Sequence, residues 1–269
     1  MQIVGAMRTD PGLVREANED AVAWITPQDQ AAAKGSLAIV ADGMGGHAAG
    51  EIASAIAVEV IQRVYYDLKA PVPKVLETAF TTANRAILAY AEQHPECRGM
   101  GTTCTALAFH DGRAWLGHIG DSRAYLLRNG QIRQLSEDQT LVAQLVSEGA
   151  ITPEEAASSP VQNVILQALG AKAQIEPIIG SDGLALEPGD VLILCSDGVF
   201  NMVDEPTIAD VAGRLPPQEA CDALIEAALA AGGHDNASLG IFAVQADAQA
   251  KKPVEPTTRR INLPIEQRR

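Results

Sequence analysis

Aromatic residues are scarce in this chain of 269 residues: four Phe, four Tyr and two Trp, 4% in all, against 47% apolar residues. A core with so few rings must be packed from Ala, Val, Leu and Ile. Positive charge is also short. Twenty basic side chains face 34 acidic ones, for a net −14, and this argues against nucleic acid as a partner, because phosphate backbones are bound by basic surfaces. No apolar run reaches membrane-spanning length, so no membrane span is expected, and the start Met-Gln-Ile-Val-Gly lacks the charged and apolar regions of a signal peptide. The four cysteines (Cys97, Cys104, Cys195, Cys221) form no CxxC pair. Cys104 and Cys195 fall inside predicted strands, so they read as buried, reduced thiols of a cytoplasmic protein. The five histidines have no paired ligand spacing and read as structural or exposed rather than zinc-bound. No nucleophile elbow surrounds a Ser or Cys. The glycine-rich stretch at 43–47 has no Lys-Ser/Thr after it and does not fit GxGxxG, which removes both common nucleotide loops.

What the chain does have is a recurring pattern of apolar runs that meet an acid. Leu37-Ala38-Ile39-Val40-Ala41 reads as a buried strand and stops at Asp42-Gly43-Met44-Gly45-Gly46-His47. The amphipathic segment after it is expected to bury Ile52, Ile56, Val60 and Val64 at helical spacing. Asp at the end of a buried strand is costly without a positive partner, and Gly43 lets a bare carbonyl turn toward the same point, so carboxylate and carbonyl together suit a hard divalent cation. A plain strand-to-helix turn would use the same residues. The pattern returns in Val191–Cys195 followed by Ser196-Asp197-Gly198, and in Ala114–Gly120 followed by Asp121. Asp235-Asn236 stands just before the run 237–244. In antiparallel pairing the start of one strand lies beside the end of its neighbour, so these four acids can gather on one rim. Their mutual repulsion would be relieved by oxygen-loving cations.

Along the rest of the chain, strands are expected at 2–8, 20–26, 102–109, 113–120, 122–128, 174–180, 190–196 and 237–244, with helices at 48–66, 73–93 and about 217–231. Asp111-Gly112 and Asn129-Gly130 are tight hairpin signals, so the sheet is antiparallel rather than of the nucleotide-binding type. The loop 9–20 carries Arg15, which is either a surface residue or a bidentate clamp for phosphate oxygens, and the adjacent acids Glu19 and Asp20, either solvated or functional. The stretch 138–170 reads as a flap-like insert with a short helix at Leu141–Ser147 and a capping box from Thr152 to Glu155; a compact structural excursion fits it as well. Asp121 could equally cap a turn or pair with Arg123. From Ala246 onward the chain has no periodicity and carries six basic and three acidic residues, a net +3 that leaves −17 for the remainder. It reads as a disordered basic tail, 246–269, after one domain over 1–245.

Taken in order, Arg15-Glu16-Ala17-Asn18-Glu19-Asp20, Asp42-Gly43-Met44-Gly45-Gly46-His47, Gly101-Thr102-Thr103, Gly120-Asp121-Ser122-Arg123-Ala124, Ser196-Asp197-Gly198 and Asp235-Asn236 resemble the metal-dependent serine/threonine protein phosphatases, bacterial branch of the type 2C kind. The resemblance covers residues 3–244. It implies an α+β fold, a four-layer α-β-β-α sandwich of two antiparallel sheets flanked by helices. It also implies a site for two manganese or magnesium ions. Asp42 would bridge them, Gly43 would offer its carbonyl, Asp197 and Asp235 would bind the second ion, and Glu19 and Asp20 would hold metal-bound waters. Asp121 with Asp197 would hold a third, weaker ion, and Arg15 would grip the substrate phosphate. The implied partners are phosphorylated proteins and a cognate Ser/Thr kinase, and the chain is expected to act as a monomer. Two departures stand out. Animal members carry a His where Met44 stands, and His47 comes three residues after Met44. The flap has Asp138-Gln139-Thr140 and Ser159-Pro160-Val161-Gln162-Asn163 where relatives have Asp-His-Ser and His-Pro-x-Arg-Asn. A non-catalytic phosphoprotein reader and a hydrolase of small phosphate esters remain alternative readings; the complete acid set disfavours the first.

Overall fold

The computed structural model describes residues 1–26, 34–45 and 49–246. The first half of the chain contributes β1 (Gln2–Asp10), β2 (Asp20–Ile25), β3 (Ser36–Met44), α1 (Ala49–Asp67), α2 (Val72–Gln93), β4 (Gly101–Thr102), β5 (Cys104–His110), β6 (Arg113–Ile119), β7 (Arg123–Arg128) and β8 (Gln131–Gln134). Then come α3 (Leu141–Ser147), α4 (Pro153–Ala157), β9 (Ile178–Ile179), β10 (Leu184–Ala185), β11 (Val191–Cys195), α5 (Asp197–Phe200), α6 (Glu205–Arg214), α7 (Pro217–Ala230) and β12 (Ala237–Gln245). One sheet runs β1-β12-β11-β7-β8 and the other β10-β6-β5-β3-β2, with every pair antiparallel.

The period-2 alternation of the strands divides their side chains among three cores. Ala38, Val40, Leu107, Leu192, Leu194 and Phe242 face inward and pack between the sheets. Leu37 and Ile39 point the other way, against α1 and α2. Ile193, Cys195 and Ile241 meet α6 and α7. These three cores make four layers, helix-sheet-sheet-helix. The few rings are concentrated: Trp24 packs on Phe109 and Phe242 with centroids 5.8 and 4.7 Å apart. Both hairpin signals form as expected, with positive φ at Asp111 (45°), Gly112 (70°), Asn129 (54°) and Gly130 (76°), the combination a two-residue I′ turn requires. All four cysteines are free and buried.

The structure corrects several expectations. The buried face of α1 is Ala53, Ala57, Val60 and Ile61, while Ile52, Ile56 and Val64 are only half-buried. Alanines let the helix lie close on its sheet, so Ala53 and Ala57 share its buried face with Ile61 and Tyr65 while Ile52, Ile56 and Val64 turn partly outward. The strand expected at 102–109 is split at Thr103, because β4 pairs with Gly43 and Met44 while β5 pairs further back along β3. The strand expected at 174–180 shrinks to Ile178–Ile179. Helix α6 was not expected, although Asp204 caps it by accepting a bond from Thr207 N (2.9 Å) and Pro206 sits in its first turn. In the excursion between β8 and β9, the Thr152–Glu155 capping box is present, Thr152 N donating to Glu155 Oε2 (2.8 Å) and Glu155 N to Thr152 Oγ1 (3.2 Å). His47 and the tail 247–269 lie outside the described residues.

Candidate active site

Antiparallel pairing brings the acids to one rim, as the strand ends require. Asp42 lies directly opposite Asp20, the first residue of β2, in the paired register, and β3 runs on past this acid to Met44 instead of stopping at it as expected. Across the sandwich, β11 ends beside the start of β7 and beside the start of β12, with Cys195 opposite Arg123 and Leu239. Asp121, Asp197 and Asp235 stand just outside those ends. Asp197 is the first residue of α5 rather than the last of a strand.

Two glycines allow this convergence by lacking a side chain. Gly43 lies in β3 without a positive φ, so its role is clearance rather than the turn expected of it. A Cβ there would strike the backbone oxygens of Glu19 and Gly50. A Cβ on Gly198 would strike the carbonyl of Asn236. The first close approach seats the N-terminus of α1 against the site, with Gly50 packed against the Glu19 carboxylate.

Polar partners fix the backbone around the acids. Asp42 N donates to Thr103 Oγ1 (3.0 Å), and the Asp42 carbonyl accepts from Thr103 N and Thr102 Oγ1 (2.9 Å each). Thr103 Oγ1 meets Ser122 Oγ at 2.8 Å, and Thr105 Oγ1 bonds the Ser122 carbonyl at 2.9 Å and His118 Nδ1 at 2.9 Å. All these side chains are fully buried. Ser196 Oγ donates to Asp20 Oδ2 (2.9 Å). Asn236 ties down the loop before β2: its Oδ1 accepts from Glu19 N (2.8 Å), and its Nδ2 donates to the carbonyls of Pro11 and Ala17 (2.9 Å each). Sequence reading named Asn236 in a motif but gave it no task.

The electrostatics follow from crowding acids in a dry place. Burial, with Asp20, Asp197, Asp121 and Asp235 adding to it, pushes the Asp42 carboxyl well above the usual carboxylate range. Burial raises Asp20 to about 7, and burial with Asp197 raises Asp121 to about 7. Asp197 is raised by burial and by Asp235, and Glu19 by burial. Arg15 pairs with Asp235, Nη2 to Oδ2 at 2.6 Å, at an exposed position. Asp121 does not pair with Arg123, whose guanidinium instead holds Asp138 through Nε and Nη2 at 2.7–3.2 Å.

Among the described residues the buried carboxylate oxygens Glu19 Oε1 and Asp20 Oδ1 have no hydrogen-bond partner, nor has the amide oxygen of Gln167. Unpaired buried acceptors are rare and call for a donor or a cation. The donor set is entirely carboxylate and carbonyl oxygen, which fits a hard divalent cation and not a soft one. Among the described residues no three His, Cys, Asp or Glu side chains close around a single point.

A double antiparallel sandwich with an acid-lined rim thus defines the class, a scaffold whose oxygen donors suit hard divalent cations. Comparison with known proteins narrows it. Residues 14–230 match the model of the protein phosphatase 2C family. The serine/threonine protein phosphatase PstP of Mycobacterium tuberculosis is 41% identical over 87% of this chain, which spans only 43% of that longer protein. The serine/threonine phosphatase stp of Listeria innocua is 36% identical over 85% of this chain and 91% of its own length. The crystal structure of the PstP catalytic domain in complex with two manganese ions superposes with a TM-score of 0.79 at 39% identity, covering 91% of this chain and 99% of that one. The chain belongs to the protein phosphatase 2C family.

The raised carboxyls give a stability prediction. In EDTA, Asp20 and Asp121 hold protons in the folded state that the unfolded chain has already released, so their contribution is complete below about pH 4 and is lost as pH rises through about 7. Buried His118 is depressed to about 4 against about 6.5 in the unfolded chain, so above about pH 6.5 it adds only a small opposing rise, largely complete by about pH 7.5 and outweighed by the two carboxyls. Melting in EDTA should therefore fall between about pH 6.5 and 8, by about 1–2 kcal/mol or roughly 2–8 °C. A melting temperature that is flat or rising across this window would contradict the assignment.

Proposed function

We propose that this chain is a protein-serine/threonine phosphatase that uses two divalent cations, manganese or magnesium, to hydrolyse phosphoserine and phosphothreonine, opposing a bacterial Ser/Thr kinase. The observation that carries the reading is the rim of oxygen donors, Asp42, Asp197, Asp235 and the Gly43 carbonyl, with two orphaned buried carboxylate oxygens beside it. Asp42 would lie between the ions and Asp197 and Asp235 on the second. Glu19 Oε1 and Asp20 Oδ1 would accept hydrogen bonds from water around them. Asp121 and Asp197 would share a third, more weakly held ion. When bound, the cations acidify a water for in-line attack and neutralise the phosphoryl oxygens.

The protein's own groups do the rest. Asp235 takes one donor of the Arg15 fork, and the guanidinium's other N–H groups suit the phosphoryl oxygens. Asn236 holds the loop that carries Arg15, Glu19 and Asp20 in register with Asp235. Met44 pairs with Gly101 at the end of β3 and has no proton to give, so it cannot serve as the acid for the departing alkoxide. Among the described residues no helix is long and apolar enough to cross a membrane; the working form is proposed to be a cytoplasmic monomer.

Hydrolysis of a phosphothreonine peptide, a nucleotide and an aryl phosphate should each be measured with manganese and with EDTA. The expected result is turnover of the peptide and the aryl phosphate with manganese, and none in EDTA. Turnover that survives the chelator would remove the central claim, and a preference for the nucleotide would move the chain to the small-ester hydrolases.

A further inference from the structure

A groove of about 880 Å³ runs from the acid rim, where Asp121, Asp197 and Asp235 line it, to the excursion between β8 and β9. That volume is near the top of the range of about 300–1,000 Å³ that encloses a drug-sized ligand, far more than a phosphoryl group needs. The rest of its lining is mixed, with an apolar part made by Val142 and Val146 of α3, Pro153 and Ala156 of α4, and Phe200 and Met202 around α5. Val142 and Val146 are four residues apart and therefore share one face of α3. Neither belongs to any of the three cores, and α3 has no fully buried residue. This apolar face packs on none of the protein's cores and borders the groove.

Charge in the groove argues against an acidic occupant of the apolar part. Arg123 lines it, but its guanidinium is already engaged by Asp138 and stacks over the Phe200 ring at 4.0 Å. Any acidic side chain entering here meets Asp138 and finds its cation taken. An apolar side chain loses nothing and gains the burial of Val142 and Val146. Neutral groups, Gln162, Asn163 and Asn201, are available to a peptide backbone.

We propose that this groove holds the polypeptide flanking the phosphorylated residue, and that Val142 and Val146 make it select an apolar side chain at one flanking position. The proposal rests on the phosphatase reading and on the continuity of the groove with the acid rim, which places the chain on either side of a bound phosphoresidue along these walls. The test compares phosphothreonine peptides that differ only by Leu, Ser or Asp at each flanking position, with an aryl phosphate as the substrate that has no flanks. Manganese is present throughout. At one position Leu should raise kcat/KM about tenfold over Asp. Val146→Asp, and the milder double change Val142→Ser with Val146→Ser, should abolish that preference and leave aryl phosphate turnover unchanged, which also reports that the fold is intact. Equal rates for all flanking residues, or a preference that survives both variants, would overturn the proposal while aryl phosphate turnover upholds the phosphatase reading. Loss of manganese-dependent turnover of every substrate in the unaltered protein would instead overturn the phosphatase reading and this inference together.

Discussion

Asp42→Asn should lose activity and gain stability at once when the protein is stripped of metal. Its carboxyl faces Asp20 across the β2–β3 ladder, and burial together with four neighbouring acids already pushes it toward the protonated form. Like charges directly opposite each other in a sheet are destabilising, so a neutral amide of the same shape relieves strain. The backbone bonds to Thr102 and Thr103 do not involve the carboxylate and survive the change. In EDTA the variant should melt higher by about 1–2 kcal/mol, roughly 2–8 °C. With manganese the order should invert: the native protein rises through binding, and the variant does not. Turnover of an aryl phosphate should fall by more than the roughly 10–100-fold that loss of a mere supporting partner costs. Thermal melts with and without manganese, beside the kinetics, decide this. A variant that keeps both its manganese-dependent rise and its turnover would remove Asp42 from the centre.

The opposite signs of those two effects also explain why the site was legible before the fold was. Acids at the ends of apolar runs break the rule that buried strands avoid uncompensated charge, so Asp42, Asp121 and Asp197 were visible as exceptions. Antiparallel pairing then needed only hairpin signals such as Asp111-Gly112 to put strand ends and starts on the same edge. Distances along the chain set the limit of that reading. Asn236 reaches Pro11, Ala17 and Glu19 across more than 200 residues, and no local pattern marks an asparagine as a staple rather than a turn residue. The hydrogen-bond chain of Thr103, Ser122, Thr105 and His118 was hidden likewise: Thr103 and Ser122 stood in motifs without a task, and Thr105 and His118 look like ordinary strand residues until the fold brings them together. Periodicity misjudged α1 for a different reason. It weights large side chains, whereas close packing on a sheet favoured Ala53 and Ala57. Gly43 was found for the wrong cause, since glycine serves as readily by absence of bulk as by freedom of φ.

Asn236→Ala should then be the most damaging change outside the acids themselves. The amide makes three bonds of 2.8–2.9 Å, and Asn236 is only 5% exposed. Alanine leaves one buried N–H and two carbonyls without their partner, at about 1–3 kcal/mol for each group that water fails to reach. A total loss of about 2–4 kcal/mol is expected, near the upper end for a single substitution. The damage should be local before it is global, because the freed segment 11–19 carries Arg15, Glu19 and the lead into Asp20. Manganese should therefore raise the melting temperature less in Asn236→Ala than in the native protein, and aryl phosphate turnover should drop at least tenfold even well below the melting point. Asn236→Asp separates the contributions: its carboxylate still accepts from Glu19 N but cannot donate to Pro11 and Ala17, and it adds charge beside Asp235. It should be at least as damaging in EDTA and partly rescued by manganese. If Asn236→Ala kept native stability and native manganese response, the loop would be held by its backbone alone, and the convergence of its acids on the rim would need another cause.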